Sequence, residues 1–378
     1  MKILYVVNSS GFFCSHFLEL AKEIQASGFE VNIIAGDTVM KEYLVGLGFK
    51  FSNFKLSRKG VNPFLELISV FSLYKEIDKI RPDILHLFTV KPIVYCGLIC
   101  KLSSYGESIK CISSVTGLGS ASLDSSLKGR LVWFLIKLAY RFVFSNDSVK
   151  VIFENSDDRL LFINNKLTTE HQSHVVNGAG VDVNKFSPIS PVKRAGIRVV
   201  LVARLLKDKG VREYIEAGKL IKGLKKNIIL QLAGGFDPGN PSAMTESEIL
   251  SAHENGFIDY LGQRDDIHVV YQNADIACLP SYREGLPKSL IEAAACGLTI
   301  VTTDVPGCRQ MIFDGKNGFL VTPYSGSSIA DVLIKLSDTP DELHKMGAIS
   351  REKAISLFSH ASIISSFKEI YNAKSELR

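Results

Sequence analysis

The chain has 378 residues, of which 46% are hydrophobic, and its formal net charge is +5. A chain of this length can bury a large core, and the usual size of a domain favours two domains over one. The mild positive charge does not require a nucleic-acid partner. The seven cysteines are odd in number and lack metal-ligand spacing, which argues against a disulfide framework and a zinc site and fits a reducing cytoplasm.

Short β-branched runs alternate with helical segments along nearly the whole chain, which is typical of parallel sheets built from βαβ units. Two sets of strands follow one another. The first set is Ile3–Val7, Val31–Ala35, Ile84–Phe88, Lys110–Val115 and Val149–Glu154, and the second is Arg198–Ala203, Ile228–Ala233, Ile276–Pro280 and Thr299–Thr302. The sequence therefore predicts an α/β fold with two Rossmann-like, doubly wound domains.

The segment SPISPVKRA at Ser187–Ala195 has two prolines, two cations and no apolar periodicity, so it is the predicted domain boundary. We expect residues 1–186 to bind an acceptor and residues 187–359 to bind a nucleotide sugar. A C-terminal helix at about 360–378 is expected to pack back on the first domain.

Two apolar segments raise the question of a signal peptide or a membrane-spanning helix. The opening KILYVV is too short for the core of a signal peptide, so no cleaved leader is expected. The stretch Leu131–Phe144 contains Lys137 and Arg141 and falls short of the roughly 20 apolar residues of a spanning helix. We therefore predict no transmembrane helix.

The segment from Leu127 to Arg141 interleaves cations with aromatic residues. At helical spacing, Arg130, Lys137 and Arg141 share one face. This pattern permits peripheral contact with the cytoplasmic membrane surface. An ordinary helix that packs on a sheet and has a solvated basic face is the alternative, and both interpretations stay open at this point.

The strand Arg198–Ala203 is followed by RLLKDKG, which puts Arg204 at the carboxyl end of the strand and Lys209 five residues later. Ligands bind at this end of open α/β sheets. Two cations there suit a diphosphate whose leaving group gains negative charge in the transition state. A solvated turn in which Asp208 balances Lys209 is the alternative.

The segment SYREGLPKSLIEAAACG follows the strand Ile276–Pro280. Pro287 suits a first helical turn, so the amides of Lys288 and Ser289 are expected to point from a helix N-terminus toward phosphate oxygens. Glu284 precedes this helix and Glu292 lies in its second turn. Carboxylates beside a phosphate are repelled unless they bind sugar hydroxyls, so we predict that Glu284 contacts the donor hexose and Glu292 the ribose.

The motifs ARLLKDKG, SYREGLPKSLIE and NGAGVD (Asn177–Asp182) resemble the signatures of retaining glycosyltransferase family 4, and the resemblance covers nearly the whole chain. It implies the glycosyltransferase B fold, in which two domains face a cleft, with Arg204 and Lys209 on the diphosphate and Glu284 on the transferred sugar. It further implies substrate contacts from residues in these motifs and in the loops after two strands: Asn177, Gly234, Arg264, Gly285, Leu286, Pro287, Lys288, Ser289 and Glu292.

The loop after the first strand, NSSGFFCSH, contains Gly11, which would let the backbone approach a substrate oxygen, and His16, which is expected to start the following helix. Lys91 is expected in the loop after Ile84–Phe88, where it would meet an acceptor phosphate. The alternatives are a helix-start histidine without a ligand and a solvated lysine.

The loop VTGLGS contributes Thr116 and the backbone amides of Gly117 to Gly119 as candidate substrate contacts. Many members of the family have a histidine near Thr116, and this chain does not. With FTVKP, the loop resembles the bacterial enzymes that extend lipid-linked oligosaccharides for O-antigen, capsule or protein glycosylation.

No Asp-x-Asp triplet is present, so we predict metal-independent activity in which Arg204, Lys209 and a helix dipole neutralise the diphosphate. No cofactor is expected beyond a UDP-sugar as donor substrate, and UDP is inferred from the family. Asp37 and Glu42 lie after the second strand, so no N-terminal carboxylate falls in a candidate loop. Front-face attack is therefore favoured over double displacement, which needs a carboxylate nucleophile.

The leading hypothesis is transfer of a hexose or N-acetylhexosamine from a UDP-sugar to a polyprenyl-diphosphate-linked saccharide at the inner face of the cell membrane. A nucleotide-sugar epimerase on the same kind of fold is the alternative. A dinucleotide-dependent oxidoreductase or a non-catalytic binding module is disfavoured, because no GxGxxG follows the first strand.

Overall fold

The computed structural model describes residues 1–54, 63–103, 108–118, 126–189, 196–313 and 315–373. The chain forms two compact units, Met1–Ala179 with Ile364–Arg378, and Gly180–Ile363. The predicted substrate residue Gly119 lies outside the described residues. So do residues 190–195 of the predicted boundary segment and residues 374–378 of the predicted C-terminal helix.

The first unit is built on a parallel sheet. Its strands are β1 (Lys2–Val7), β2 (Glu30–Ala35), β3 (Lys50–Asn53), β4 (Ile84–Phe88), β5 (Lys110–Val115), β6 (Lys150–Phe153) and β7 (Ser173–Val175). They lie in the order β3-β2-β1-β4-β5-β6-β7. β1, β2 and β4 are buried along almost their whole length, which is typical of parallel sheets with both faces covered.

The helices of the first unit connect these strands. They are α1 (Ser10–His16), α2 (Leu18–Ala26), α3 (Lys41–Gly46), α4 (Pro63–Ile80), α5 (Val90–Leu102), α6 (Leu127–Val143) and α7 (Ser156–Asn164). α4, α5 and α6 form the three successive crossovers from β3 to β6, and they pack on one core cluster through side chains such as Leu73, Cys96 and Val143.

The second unit repeats this design. Its strands are β8 (Ile197–Val202), β9 (Ile228–Ala233), β10 (Asp259–Gly262), β11 (Ile276–Leu279), β12 (Thr299–Thr303) and β13 (Gly318–Val321). They are parallel, in the order β10-β9-β8-β11-β12-β13. Its helices are α8 (Val211–Gly223), α9 (Glu246–Glu254), α10 (Ile267–Gln272), α11 (Lys288–Ala295), α12 (Gly326–Ser337) and α13 (Pro340–Phe358).

The final helix, α14 (His360–Asn372), carries the chain back to the first unit. There the hydroxyl of Tyr371 lies 2.7 Å from Nδ1 of His86 in β4, and Lys368 forms an ion pair with Glu23 at 2.7 Å. No helix in the described part of the chain has both the length and the apolarity that crossing a bilayer requires.

Each sheet reverses its strand order once, between β1 and β4 in the first unit and between β8 and β11 in the second. Loops that leave the carboxyl ends of strands on either side of such a reversal separate and leave a crevice, where ligands of doubly wound proteins bind. The predicted doubly wound α/β class is confirmed for both units, and these two reversals locate their candidate sites.

Candidate active site

In the second unit, the chain leaves β8 and turns through a 3₁₀ helix, Lys207–Lys209, next to the loop that leaves β11. Gly210 ends this turn with a φ of +71°, and a Cβ atom on it would lie 2.0 Å from the carbonyl oxygen of Pro280. Ser281 Oγ and the amide of Tyr282 each donate to the carbonyl of Asp208, at 2.9 Å. The two loops are therefore held together across the strand reversal.

This contact brings Lys209 to Glu284. Nζ of Lys209 lies 2.5 Å from Oε1 of Glu284, and the two side chains are 22% and 12% exposed. The amide of Glu284 donates to Pro306 O at 3.2 Å, and Gly307, with a φ of +81°, lies against the Glu284 carbonyl where a Cβ atom would not fit. Lys209 is thus paired with Glu284 and not with Asp208, the sequence alternative.

Arg204 lies at the end of β8 and is 62% exposed. It forms an ion pair with Asp237 of the loop after β9, at 2.8 Å. That loop approaches β8 closely because Gly234 has no side chain: a Cβ atom there would lie 1.8 Å from Ala203 O. The sequence reasoning identified Gly234 and missed Asp237, whose only signal is its position four residues after a strand.

Helix α11 begins at Lys288, and Pro287 is its N-cap, immediately before the first turn and not within it. Lys288 Nζ lies 3.5 Å from Glu292 Oε1, and the Glu292 side chain is only 14% exposed. Burial raises the pKa of Glu292, and the nearby Lys288 only partly offsets this effect. Glu292 is therefore a carboxyl group with a weakened preference for ionisation, on the helix that borders the crevice.

The remaining predicted donor residues lie around this crevice or beyond it. Gly285 and the buried Leu286 connect Glu284 to the helix, and the Ser289 carbonyl accepts a hydrogen bond from Tyr271 at 2.7 Å. Arg264, in the loop after β10, forms a two-point ion pair with Asp266. Asn177 follows β7 and belongs to the first unit.

In the first unit, the expectation for His16 is wrong. α1 begins at Ser10, directly after β1, so His16 ends this helix instead of starting the next. Its ring stacks on Phe12 with centroids 4.4 Å apart, and Nδ1 lies 2.6 Å from Ser15 Oγ. Gly11 lies inside the same helix, where a Cβ atom would meet only Ser9 Oγ at an ordinary 3.7 Å, so no close approach requires glycine there.

The expectation for Lys91 also changes. α5 begins at Val90, so Lys91 lies in the first turn of a helix and not in a loop. Its Nζ forms an ion pair with Oε1 of Glu66 in α4 at 2.7 Å, and the side chains are 26% and 16% exposed. Thr116 and Gly117 follow β5, the neighbour of β4, and Gly117 has a φ of +137° that favours glycine.

Two carboxylates reach this edge of the sheet although neither lies in a predicted loop. One is Glu66. The other is Asp37, whose Oδ1 accepts from the amide of Ser10 at 3.2 Å and from the Ser10 hydroxyl. Burial alone would raise the pKa of Asp37, but hydrogen bonds from Ser10 and Ser9 lower it overall. Hydrogen bonds from Ser10 hold Asp37, and the ion pair with Lys91 holds Glu66.

Asn8 and Thr89 were missed by the sequence reasoning. β1 and β4 pair Val6 with Leu87, and Asn8 and Thr89 each lie two residues beyond that pair, at the strand reversal. Oδ1 of Asn8 and Oγ1 of Thr89 are buried and have no hydrogen-bond partner. Thr89 also has a φ of +68°. Unpaired polar atoms and backbone strain concentrate at functional sites, so this pair marks the crevice of the first unit.

The chain is similar to known proteins along most of its length. Residues 182–353 match the family described as glycosyl transferases group 1, and residues 2–155 match glycosyl transferase 4-like. An N,N'-diacetylbacillosaminyl-diphospho-undecaprenol α-1,3-N-acetylgalactosaminyltransferase of Campylobacter jejuni is 32% identical over 324 residues, which cover 80% of this chain and 81% of that enzyme. The chain belongs to glycosyltransferase family 4.

Two further comparisons cover nearly the whole chain. A UDP-Gal:α-D-GlcNAc-diphosphoundecaprenol α-1,3-galactosyltransferase of Escherichia coli is 23% identical over 359 residues, 91% of this chain and 89% of that enzyme. HepE of Anabaena, solved in complex with UDP, superposes with a TM-score of 0.78 at 17% identity and covers 99% of this chain and 100% of its own. The predicted glycosyltransferase B fold, with two doubly wound units in one chain, is confirmed.

Membership of family 4 makes this chain a retaining glycosyltransferase and sets the epimerase alternative aside. Among the described residues, no group of three or more His, Cys, Asp or Glu side chains is arranged to hold a metal ion. Arg204, Lys209, Glu284 and Glu292 are among the charged residues that the sequence predicted for the donor site in the second unit.

Proposed function

We propose that this enzyme transfers a hexose or N-acetylhexosamine from a UDP-sugar to a polyprenyl-diphosphate-linked saccharide, with retention and without a metal ion. The observation that supports donor binding is the position of Arg204, Lys209 and Glu284 in loops at the strand reversal of the second unit. Two cations and one carboxylate within a single crevice match a substrate that joins a diphosphate to a sugar.

The donor diphosphate binds between Arg204, Lys209 and the N-terminus of α11. Its negative charge grows as the bond to the anomeric carbon breaks, and both cations stabilise that charge more strongly in the transition state than in the ground state. Arg204 is exposed and paired only at the surface with Asp237, so it can turn to the diphosphate at low cost.

Glu284 contacts the transferred sugar. A free carboxylate beside a diphosphate would repel it, but the 2.5 Å pair with Lys209 neutralises Glu284 while leaving its other oxygen able to accept from sugar hydroxyls. Glu292 contacts the ribose hydroxyls. The acceptor hydroxyl attacks from the face that the diphosphate leaves, and a diphosphate oxygen takes its proton.

The acceptor binds in the crevice of the first unit. Asn8 and Thr89 present unpaired oxygens that acceptor hydroxyls can satisfy, and the hydroxyl of Thr89 can rotate to a new partner. Lys91 contacts the acceptor diphosphate, with Glu66 orienting its ammonium group at 2.7 Å. Thr116 and the backbone at Gly117 border the same edge.

The relatives support the acceptor class. The enzymes of Campylobacter jejuni and Escherichia coli described above are both named for acceptors attached to diphospho-undecaprenol. An acceptor of this kind stays in the lipid bilayer, so the enzyme works at the cytoplasmic face of the cell membrane in the synthesis of a bacterial surface polysaccharide such as O-antigen or capsule.

The test has two parts. Thermal shift with UDP-, GDP- and other nucleotide sugars, in buffer with and without EDTA, identifies the donor, and a bound donor raises the unfolding temperature. Mass analysis of a synthetic polyprenyl-diphosphate-linked saccharide after incubation with that donor then detects transfer. Binding of no UDP-sugar, or loss of transfer in EDTA, would contradict the proposal.

A further inference from the structure

Helix α6 has an unusual outward side. One side packs on the core of the first unit, where Gly129, Tyr140 and Val143 are buried. The opposite side is apolar. With about 3.6 residues per turn, its exposed apolar residues form one continuous stripe along the helix. They are Leu127, Leu131, Phe134, Leu135, Leu138 and Phe142, each between 46% and 85% exposed.

Cations border this stripe. Helical spacing puts Arg130, Lys137 and Arg141 along one edge and Lys128 at the other, and the sequence of α6 contains no Asp or Glu. The helix packs on the core as the alternative expected, but its exposed side is apolar and the cations lie at the margins of that side. In that position the aliphatic parts of the Lys and Arg side chains can pack in an apolar environment while their charged groups contact anions.

Helix α4 extends the apolar surface. Its exposed residues Leu67, Ile68, Phe71 and Tyr74 are between 39% and 66% exposed. α5 packs against both α4 and α6, and all three helices contribute to the same core cluster, so their outward sides face away from the sheet on the same side. Nζ of Lys101 in α5 lies 4.4 Å from the ring centroid of Phe142 and adds a further cation beside the stripe.

We propose that the outward sides of α4 and α6 form a docking surface for an anionic phospholipid bilayer, with α6 lying in the headgroup region. Six exposed apolar side chains along α6 and four along α4, on either side of α5, are more than the scattered single apolar residues of an ordinary surface. The apolar stripe of α6, with basic margins and no Asp or Glu in its helix, is complementary to lipid tails below phosphate headgroups. This surface gives the reaction proposed above its access to a lipid-linked acceptor, but vesicle binding is measurable without any substrate.

Flotation of the full chain with vesicles tests the apolar stripe. The protein is expected to float with vesicles of phosphatidylglycerol and phosphatidylethanolamine, and much less with phosphatidylcholine alone. The variant Phe134→Ser/Leu138→Ser should bind the anionic vesicles about a hundredfold more weakly. The matched control Leu224→Ser/Ile355→Ser removes side chains that are 61% and 47% exposed in the second unit, and it should bind like the parent protein.

A second pair of variants tests the charges. Arg130→Glu/Arg141→Glu should weaken binding to anionic vesicles at least about 25-fold, since each cation near the surface contributes roughly a fivefold factor. The control Lys219→Glu/Lys345→Glu should leave binding unchanged. Thermal unfolding and the UDP-induced shift of each variant separate loss of docking from loss of fold or of donor binding.

Two results would overturn the proposal. One is equal binding of all variants to anionic vesicles and to phosphatidylcholine. The other is a parent protein that elutes as a dimer while Phe134→Ser/Leu138→Ser elutes as a monomer with unchanged vesicle binding, which would make this surface a contact between two protein chains.

Discussion

Lys209 and Glu284 are 75 residues apart in the chain, yet Nζ of one lies 2.5 Å from Oε1 of the other. Each comes from a loop that follows a strand beside the reversal in the second sheet, and Gly210 allows the two loops to touch. The largely buried pair places a carboxylate and an ammonium group in the same crevice. We propose that a diphosphate-linked sugar uses both groups.

Lys209→Ala should lower kcat/KM by about 10²–10³-fold, because the leaving diphosphate loses a cation. Glu284→Gln should lower kcat while UDP still raises the unfolding temperature, since Glu284 is proposed to contact the sugar and not the nucleotide. Steady-state kinetics and thermal shift check both. Lys207→Ala, in the same 3₁₀ turn, is the matched control, and an equal loss in that variant would argue against a specific role for Lys209.

Gly210→Ala should destabilise the second unit by about 2–4 kcal/mol, because alanine is strained at a φ of +71° and its Cβ atom would overlap Pro280 O. Donor binding should weaken with it as Lys209 is displaced. Urea unfolding and UDP titration measure the two effects. Gly223→Ala is the control: nothing lies within 4 Å of its added Cβ atom, so it should be neutral or slightly stabilising.

Glu292→Gln should stabilise the free protein at neutral pH and weaken UDP binding about tenfold. Burial raises the pKa of Glu292 in the fold, so its contribution to the free energy of unfolding is highest at low pH and falls as pH rises through the folded-state pKa. Gln removes that cost and loses charged hydrogen bonds to the ribose. Calorimetry should show a higher unfolding temperature for Glu292→Gln than for the parent protein at pH 7 but not at pH 4. Each kcal/mol of stabilisation raises the unfolding temperature by roughly 2–4 °C.

Asn8→Ala and Thr89→Ala should each leave the free energy of unfolding unchanged or higher by up to about 1 kcal/mol, because each removes a buried, unpaired oxygen. The kcat/KM for the acceptor should fall about tenfold, while the KM for the donor stays constant. Ser103→Ala is the control, since its Oγ is also buried and unpaired but lies at the other end of α5. An equal acceptor effect in that control would contradict an acceptor site at Asn8 and Thr89.

His86→Gln should make the first unit less sensitive to acid. Burial lowers the pKa of His86 to about 3. As pH falls, His86 therefore takes up a proton in the unfolded state before it does so in the folded state. The free energy of unfolding decreases between the ordinary pKa of histidine and the folded-state pKa. In this range the free energy of unfolding falls by up to about 1.4 kcal/mol per pH unit. Gln can still bond Tyr371 and Ser114, so urea unfolding between pH 7 and pH 4 should show a shallower slope. His171→Gln, whose side chain is 63% exposed, should not change it.

The nine strands predicted from the sequence are all present, with ends shifted by at most one residue. The four strands that were not predicted, β3, β7, β10 and β13, are the edge strands of the two sheets. Central parallel strands are buried on both faces and appear as continuous apolar runs. Edge strands are short and partly exposed, so their side chains carry no such pattern.

The candidate site residues also differ in how far a local sequence pattern predicts them. Arg204, Lys209 and Glu284 follow strands, and Glu292 lies in the second turn of the helix after one of them. Loops at the carboxyl ends of strands in one parallel sheet lie at the same edge, so strand prediction was enough to group these residues. Asp237, Asp37 and Glu66 were not grouped, because no motif links them to their partners, which lie 25 to 33 residues away in sequence. The errors at His16 and Lys91 have one cause, since only one or two residues separate each helix from the strand before it.

By itself, the sequence determined the doubly wound class, the family and the charged residues that we propose for diphosphate binding, because periodicity and short motifs are local properties of a chain. Tertiary structure alone decided which charges are paired, that Lys209 neutralises Glu284 and not Asp208, and that the outward side of α6 is apolar with cations at its margins. Those facts depend on which surfaces the fold buries and on contacts between distant segments, and no local pattern encodes them.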